Sequence, residues 1–258
     1  MIEFYSLGSS SRGNAFLVRT GPDHWLIDAG LSATEITSRL KDRHLMPGDL
    51  SGIWITHEHG DHIRGLCGIQ RRAAIPIFIS SRCHAVAGIH LSPDLVVPIH
   101  AGQEVVLGNT RVRVRGKSHD AVDPLFFTFT YGGRAVSIIT DLGYACADVR
   151  TAVADSDGLI LEANHETAML LSGPYPAFLK RRVGGDRGHL SNHQAAELLV
   201  RAATPRLRHI LLAHVSQKNN SAATALAVIS RALSPWPDSR PPEVSAAPQC
   251  GGTEPIKL

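Results

Sequence analysis

The chain has 258 residues, 43% of them hydrophobic and 19% charged, with a formal net charge of +3. This is enough apolar material for a large buried core, which excludes a disordered or fibrous chain. No stretch approaches the ~20 apolar residues that cross a bilayer, and so mild a basicity does not by itself mark a nucleic-acid binder.

In chain order, residues 2–7, 15–19 and 24–28 read as short strands separated by turn signals. Ser32-x-x-Glu35 is a capping box that opens a helix with Ile36 and Leu40 on one face. A strand over 52–56 is followed by a predicted helix over 61–74 and a strand over 75–79. Further strands are predicted at 95–99, 103–107, 110–115, 125–131 and 134–140, the last two joined by a Gly132-Gly133 hairpin turn. Apolar strands at 158–162 and 208–213 are interspersed with helices at 147–154, 174–182, 191–203 and 221–233. Ser191-x-x-Gln194 is a second capping box. Strand-rich segments with helices between them and at the end suit two sheets with helices outside. Residues 1–234 read as one domain, and the Pro-, Gly- and Ser-rich segment 235–258 as a flexible tail. Cys67, Cys83, Cys146 and Cys250 form no C-x-x-C pair. Reduced thiols, no basic and apolar leader and no membrane segment lead us to expect a cytoplasmic protein.

The most informative stretch is Thr56-His-Glu-His-Gly-Asp-His62, which follows the apolar run Gly52–Ile55. Its three imidazoles and one carboxylate, His57, His59, Asp61 and His62, are costly to pack together without a cation between them. Such donors suit zinc, manganese and iron. Four candidates in six residues exceed what one open metal site takes from a single segment, so two ions are expected. Three more candidates end apolar runs: His119 after 110–115, Asp141 after 134–140, and His214 after 208–213.

Taken with Asp28-Ala-Gly, these motifs occur in the order found in the metallo-β-lactamase-fold hydrolases, which the chain resembles over roughly residues 1–233. The resemblance implies an α/β four-layer αβ/βα sandwich with the metals at one edge. It also implies that His57, His59 and His119 hold one divalent ion and Asp61, His62 and His214 a second, with Asp141 bridging and Asp28 structural beneath the motif loop.

Gly188-His189-Leu-Ser-Asn192 and Leu161-Glu162-Ala-Asn-His165 resemble loops of the nucleic-acid phosphodiesterase branch, and the whole set is closest to the YycJ (WalJ) exonuclease-like group. This implies a 5′-to-3′ exonuclease on single-stranded DNA, using a hydroxide held between two metals. In that reading Asp61 orients the hydroxide, His189 protonates the leaving oxygen, and Glu162 holds the tautomer of His189. A neutral-range imidazole suits the acid role. Contacts to substrate are expected from Ser9, Ser11, Arg12, His165, Arg187 and Asn192. The loop Ser9–Asn14 reads equally as a phosphate-binding turn and as a plain hairpin turn. Lys180-Arg181-Arg182 with Arg187 is the densest basic cluster, and no aromatic residue is interleaved in it. The alternative is a small-molecule hydrolase of the same fold acting on a cyclic phosphodiester or thioester.

Overall fold

The computed structural model of the chain describes residues 1–237, 240–248 and 251–258. The first seven-stranded sheet contains β1 (Ile2–Ser10), β2 (Gly13–Thr20), β3 (Asp23–Ile27), β4 (Gly52–Trp54), β5 (Ile77–Ser80) and β6 (Val96–Ile99). The second contains β7 (Glu104–Leu107), β8 (Thr110–Gly116), β9 (Leu125–Tyr131), β10 (Arg134–Ile139), β11 (Gly158–Glu162), β12 (His209–Ala213) and β13 (Glu243–Ala246). β14 (Ile256–Lys257) completes the first sheet beside β1. Each sheet changes from antiparallel hairpins to parallel strands: β3 to β6 run parallel in the first, and β10 to β13 in the second.

Period-two alternation builds the layers. Phe4, Phe16, Trp25 and Trp54 face inward and meet Val112, Phe127, Phe129, Ile160 and Leu211 of the other sheet. The Trp54 ring stacks on Phe78 at 4.1 Å and meets Phe127 edge-on at 5.3 Å, locking the two sheets through aromatic contacts. The outward residues Leu17, Leu26, Ile53 and Ile77 pack under helix Ala33–Lys41 through Ile36 and Leu40. Leu159, Leu161, Ile210 and Leu212 pack under helices Ala147–Asp155, Asn192–Ala202 and Ala222–Ala232. The result is the expected four-layer αβ/βα sandwich.

Several local expectations change. The predicted helix over 61–74 is two short helices, Gly60–Ile63 and Leu66–Gln70. They break at Gly65, whose N–H donates to Ala29 O at 2.7 Å and where a Cβ would lie 2.2 Å from Leu31 O. Helices Ser81–Val86 and Thr167–Ser172 were not expected. The helix predicted over 174–182 starts at Ala177, behind Pro176. The 235–258 segment is not a loose appendage. It adds one edge strand to each sheet, with β13 on β12 and β14 on β1, and places Ala247 in the intersheet core at 2% exposure. Its prolines fall outside these short ladders, where they cost no hydrogen bond. Cys67, Cys83 and Cys146 are free thiols, and Cys250 lies outside the described residues. Among the described residues no helix is long and apolar enough to cross a membrane.

Candidate active site

The candidate ligands gather where strands end. Asp28 follows β3, His57 lies just beyond β4, His119 beyond β8, Asp141 beyond β10 and His214 directly after β12. Beyond the last ladder bond the backbone can turn, and three of these residues adopt left-handed conformations: Asp28 at φ 59°, Asp141 at φ 55° and His214 at φ 53°. Such backbone is uncommon for non-glycine residues and is held only where surroundings over-determine it.

One cluster consists of imidazoles alone. His57 Nε2 lies 3.1 Å from His59 Nδ1, and His119 Nε2 lies 3.3 Å from that same atom. The second mixes imidazoles and carboxylates. His62 Nε2 is 3.3 Å from Asp141 Oδ2 and 3.6 Å from Asp61 Oδ2, and His214 Nε2 is 3.8 Å from Asp61 Oδ2. Asp141 lies between the clusters, with Oδ1 4.0 Å from His119 Nε2. Two buried atoms here, Asp141 Oδ2 and His214 Nε2, make no hydrogen bond. Converging nitrogens without enough protons to share, together with orphaned acceptors aimed at one spot, fit divalent cations.

The ligand candidates are steered from behind. Asp28, fully buried, accepts from Thr56 N and Thr56 Oγ1 at 2.8 Å and contacts His62 Nδ1 at 2.6 Å, which leaves Nε2 facing the cluster. Thr56 Oγ1 also lies 2.9 Å from His57 Nδ1. Glu162, also fully buried, is the larger hub. Its Oε1 lies 2.9 Å from His189 Nδ1 and 2.8 Å from His214 Nδ1, and Oε2 accepts from Leu142 N and Leu190 N. Asp141, Glu162, His189 and His214 therefore form a support cluster rather than an ion cage, because both Nδ1 atoms are already committed to one carboxylate oxygen.

A family model described as the β-lactamase superfamily domain matches residues 24–214. The chain belongs to the metallo-β-lactamase superfamily. It is 33% identical to "Exodeoxyribonuclease YycJ" of Bacillus anthracis, covering 90% of this chain and 89% of that one. It is 35% identical to "Exodeoxyribonuclease WalJ" of Streptococcus pneumoniae serotype 2, covering 83% and 81% respectively. In three dimensions it is similar to the metallo-β-lactamase-fold protein YhfI of Bacillus subtilis, with a TM-score of 0.73, 16% identity and 98% of each chain covered. Like its superfamily, the chain is a metal-dependent hydrolase.

Electrostatics divide the superfamily donor set into two kinds. Burial, reinforced by the charge of His62, holds His57 well below its usual range, and burial pushes His119 down to about 4. These rings offer neutral lone pairs. In the other cluster burial is outweighed. Asp141 and Asp28 raise His62 to about 10 against the cost of burial. Burial would raise Asp61, but the neighbouring His214 and His62 imidazoles lower it to about 2. His214 is likewise raised well above its usual range despite burial, chiefly by Asp141.

These directions give a testable pH profile for the metal-free chain. His62 is raised, so its contribution to stability is complete below about 6.5 and is lost as pH rises toward about 10. Asp61 is depressed, so its contribution is complete above about 3.8 and is lost as pH falls through about 2. Chelated protein should lose stability above pH 6.5 through His62, and also below it, where the depressed His57 and His119 resist the proton that the unfolded chain accepts, whereas metal-loaded protein should not show the alkaline loss, because the ligands it needs are deprotonated. A flat midpoint for chelated protein from pH 6.5 to 9 would count against the imidazolium–carboxylate cluster.

Not every expected site residue faces the cleft. His59, Asp61, His119, Asp141, His189 and His214 line it, with Ser11 and Arg182. Ser9 is 1% exposed and its Oγ accepts from His214 N at 2.7 Å, so it anchors a ligand loop instead of meeting substrate. His165, at 3% exposure, and Asn192, fully buried, are likewise turned inward. Asn192 bridges Glu166 and Asn220 through its amide, because the capping box of its helix seats it beneath the His189 loop. Arg12 and Arg187 are exposed. Asn14, Thr56 and Asn164 escaped sequence reasoning. Asn14 Nδ2 reaches Asp61 Oδ2 at 3.4 Å and His62 Nε2 at 3.2 Å, and Asn164 Nδ2 donates to His214 O at 2.9 Å. Thr56 and Asn164 stand within the sequence motifs and Asn14 ends the Ser9–Asn14 loop, but only the fold reveals what each of them supports.

Proposed function

We propose that the chain is a two-metal exonuclease that removes nucleotides from the 5′ end of single-stranded DNA. The observation carrying this reading is His189. It lines the cleft beside the ligand candidates, and its Nδ1 is committed to the buried Glu162 carboxylate at 2.9 Å. That leaves Nε2 as the nitrogen available to a leaving oxygen, which is what a phosphodiesterase needs. His57, His59 and His119 would hold one ion, Asp61, His62 and His214 the other, and Asp141 would serve both. Two divalent ions, zinc or manganese, with iron also compatible, would lower the pKa of water at the site and neutralise charge building on the phosphoryl oxygens. Asp61 offers an acceptor that orients the attacking water. The relatives named as exodeoxyribonucleases support DNA as substrate, and strand state and polarity rest on the resemblance of the His189 and Glu162 loops to the YycJ group.

Oligonucleotides labelled at the 5′ or the 3′ end test this directly. Early release of a labelled 5′ mononucleotide is the expected result. Internal fragments, trimming from the 3′ end, or turnover of small phosphodiesters alone would refute it and favour a small-molecule phosphodiesterase.

The basic cluster divides under this reading. Arg182 is paired with Asp120 and Lys180 donates to Leu171 O, whereas Arg187 makes no side-chain hydrogen bond or ion pair among the described residues. With turnover blocked by His189→Ala, neutralising Arg187 should reduce the slope of log K against log salt by about 0.7, one single-strand phosphate contact. Lys180→Ala should leave the slope unchanged. An unchanged slope in the Arg187 variant would remove this residue from the binding surface.

A further inference from the structure

A second groove opens from the catalytic cleft on its His119 side. His119 belongs to both walls, and the new groove continues between residues 116–124 and the Asp186–Arg187 turn. Tyr144 lines it. The residue is 49% exposed, and among the described residues its ring has no aromatic partner and its hydroxyl makes no hydrogen bond. The catalytic cleft itself is lined by no Phe, Tyr or Trp. Phe178, more exposed at 66%, lies on the neighbouring helix Ala177–Val183 but lines neither space.

Tyr144 is held firmly despite its exposure. It follows Asp141 by three positions, and the residue just before it, Gly143, is clamped. Gly143 N donates to Ser118 O at 2.8 Å, and a Cβ at Gly143 would stand 1.9 Å from Asp186 O. Only glycine allows that approach. Ser118 Oγ donates to the same Asp186 carbonyl. The segments bearing His119, Asp141 and His189 are therefore tied together beside Tyr144, so the backbone that carries its ring is held relative to the reacting centre. Arg187, unpaired among the described residues, brings positive charge to the groove, while Lys117, 8% exposed, turns inward and its Nζ donates to Thr140 O. Of the two acids there, Asp123 is engaged by Ser80 Oγ, and Asp186 presents its carboxylate at the rim.

We propose that this groove is a second nucleotide subsite, in which the Tyr144 ring stacks on a nucleobase and the Arg187 guanidinium meets the adjoining phosphate. It rests on the nuclease reading above and adds to it where the strand lies beyond the cleaved bond. Stacking suits an enzyme that degrades DNA of any sequence, because every base has a π-face.

The test uses the full-length, metal-loaded protein with a single-stranded oligonucleotide and with bis(p-nitrophenyl) phosphate, which carries no second nucleotide. Tyr144→Ala should raise KM for the oligonucleotide roughly tenfold, in line with aromatic–base stacking. It should leave turnover of the small ester unchanged, and Tyr144→Phe should match the parent. A single abasic residue, moved in turn through the first positions of the strand, should at one position abolish the difference between parent and Tyr144→Ala, since both changes remove one contact. An unchanged oligonucleotide KM in Tyr144→Ala, an equal loss on both substrates, or a difference that persists at every abasic position would overturn the subsite and leave the nuclease reading standing. A parent protein that hydrolyses the small ester but no oligonucleotide would sink both.

Discussion

His189→Ala should keep its full metal content and lose about 10²–10⁴-fold in turnover of DNA, the usual contribution of a positioned general acid. The reason is geometric. His189 Nδ1 is bonded to Glu162 and lies 3.8 Å from Asp141 Oδ1, so the ring stands beside the ligand candidates without being one of them. A deoxyribose alkoxide leaves poorly without a proton, whereas nitrophenolate leaves well without one. The loss should therefore shrink on bis(p-nitrophenyl) phosphate. Elemental analysis and steady-state rates on both substrates decide the matter. Equal losses on the two would remove the acid role, and a drop in metal content would make His189 a ligand.

Much of this architecture was legible in the sequence because periodicity and strand-end chemistry are local signals. The alternation through Phe16, Leu17 and Val18, and the apolar runs that end at Asp141 and His214, predict both the strands and the placement of the donors. What stayed hidden depends on contacts distant in sequence. Gly65 breaks a predicted helix because Ala29–Leu31 passes against it, a contact no periodicity reports. Glu243–Ala246 and Ile256–Lys257 are too short and too near prolines to announce themselves as strands, yet a vacant edge beside β12 or β1 is enough to order them. Ser9, His165 and Asn192 were read as substrate contacts because polar residues near a motif suggest a surface. In the fold Ser9 and Asn192 satisfy buried backbone and amide groups, and the His165 ring is buried with its Nδ1 unpaired among the described residues.

Glu162→Gln should have a broader effect than His189→Ala, although the sequence suggested only that Glu162 serves His189. Five donors converge on this carboxylate: the Nδ1 atoms of His189 and His214 and the backbone N–H groups of Asp141, Leu142 and Leu190. Burial acts against its charge, but the field of His189 and the hydrogen bonds of both imidazoles hold it below the usual carboxylate range, so it is ionised at neutral pH. A glutamine has one acceptor oxygen and must turn N–H groups toward donors somewhere. If the amide nitrogen takes the Oε1 position, both Nδ1 atoms must become acceptors, their protons move to Nε2, and the Asp141 N–H is left unpaired. His214 then loses the lone pair that it would offer an ion. If the nitrogen takes the Oε2 position, the N–H groups of Leu142 and Leu190 are left unpaired in the interior, at about 1–3 kcal/mol each. Either way the effect reaches past the acid. Metal affinity should fall by about 10–100-fold at one of two equivalents, as for other residues that orient ligands, and DNA turnover should fall with it. Metal titration followed by equilibrium dialysis, set beside the thermal midpoint of the chelated variant, separates the two arrangements: loss of an equivalent with a small drop in midpoint, one N–H unpaired, marks the first, and a larger drop, two N–H groups unpaired, the second. A variant that bound both equivalents with parental affinity, kept its midpoint and lost only turnover would show that Glu162 acts through His189 alone.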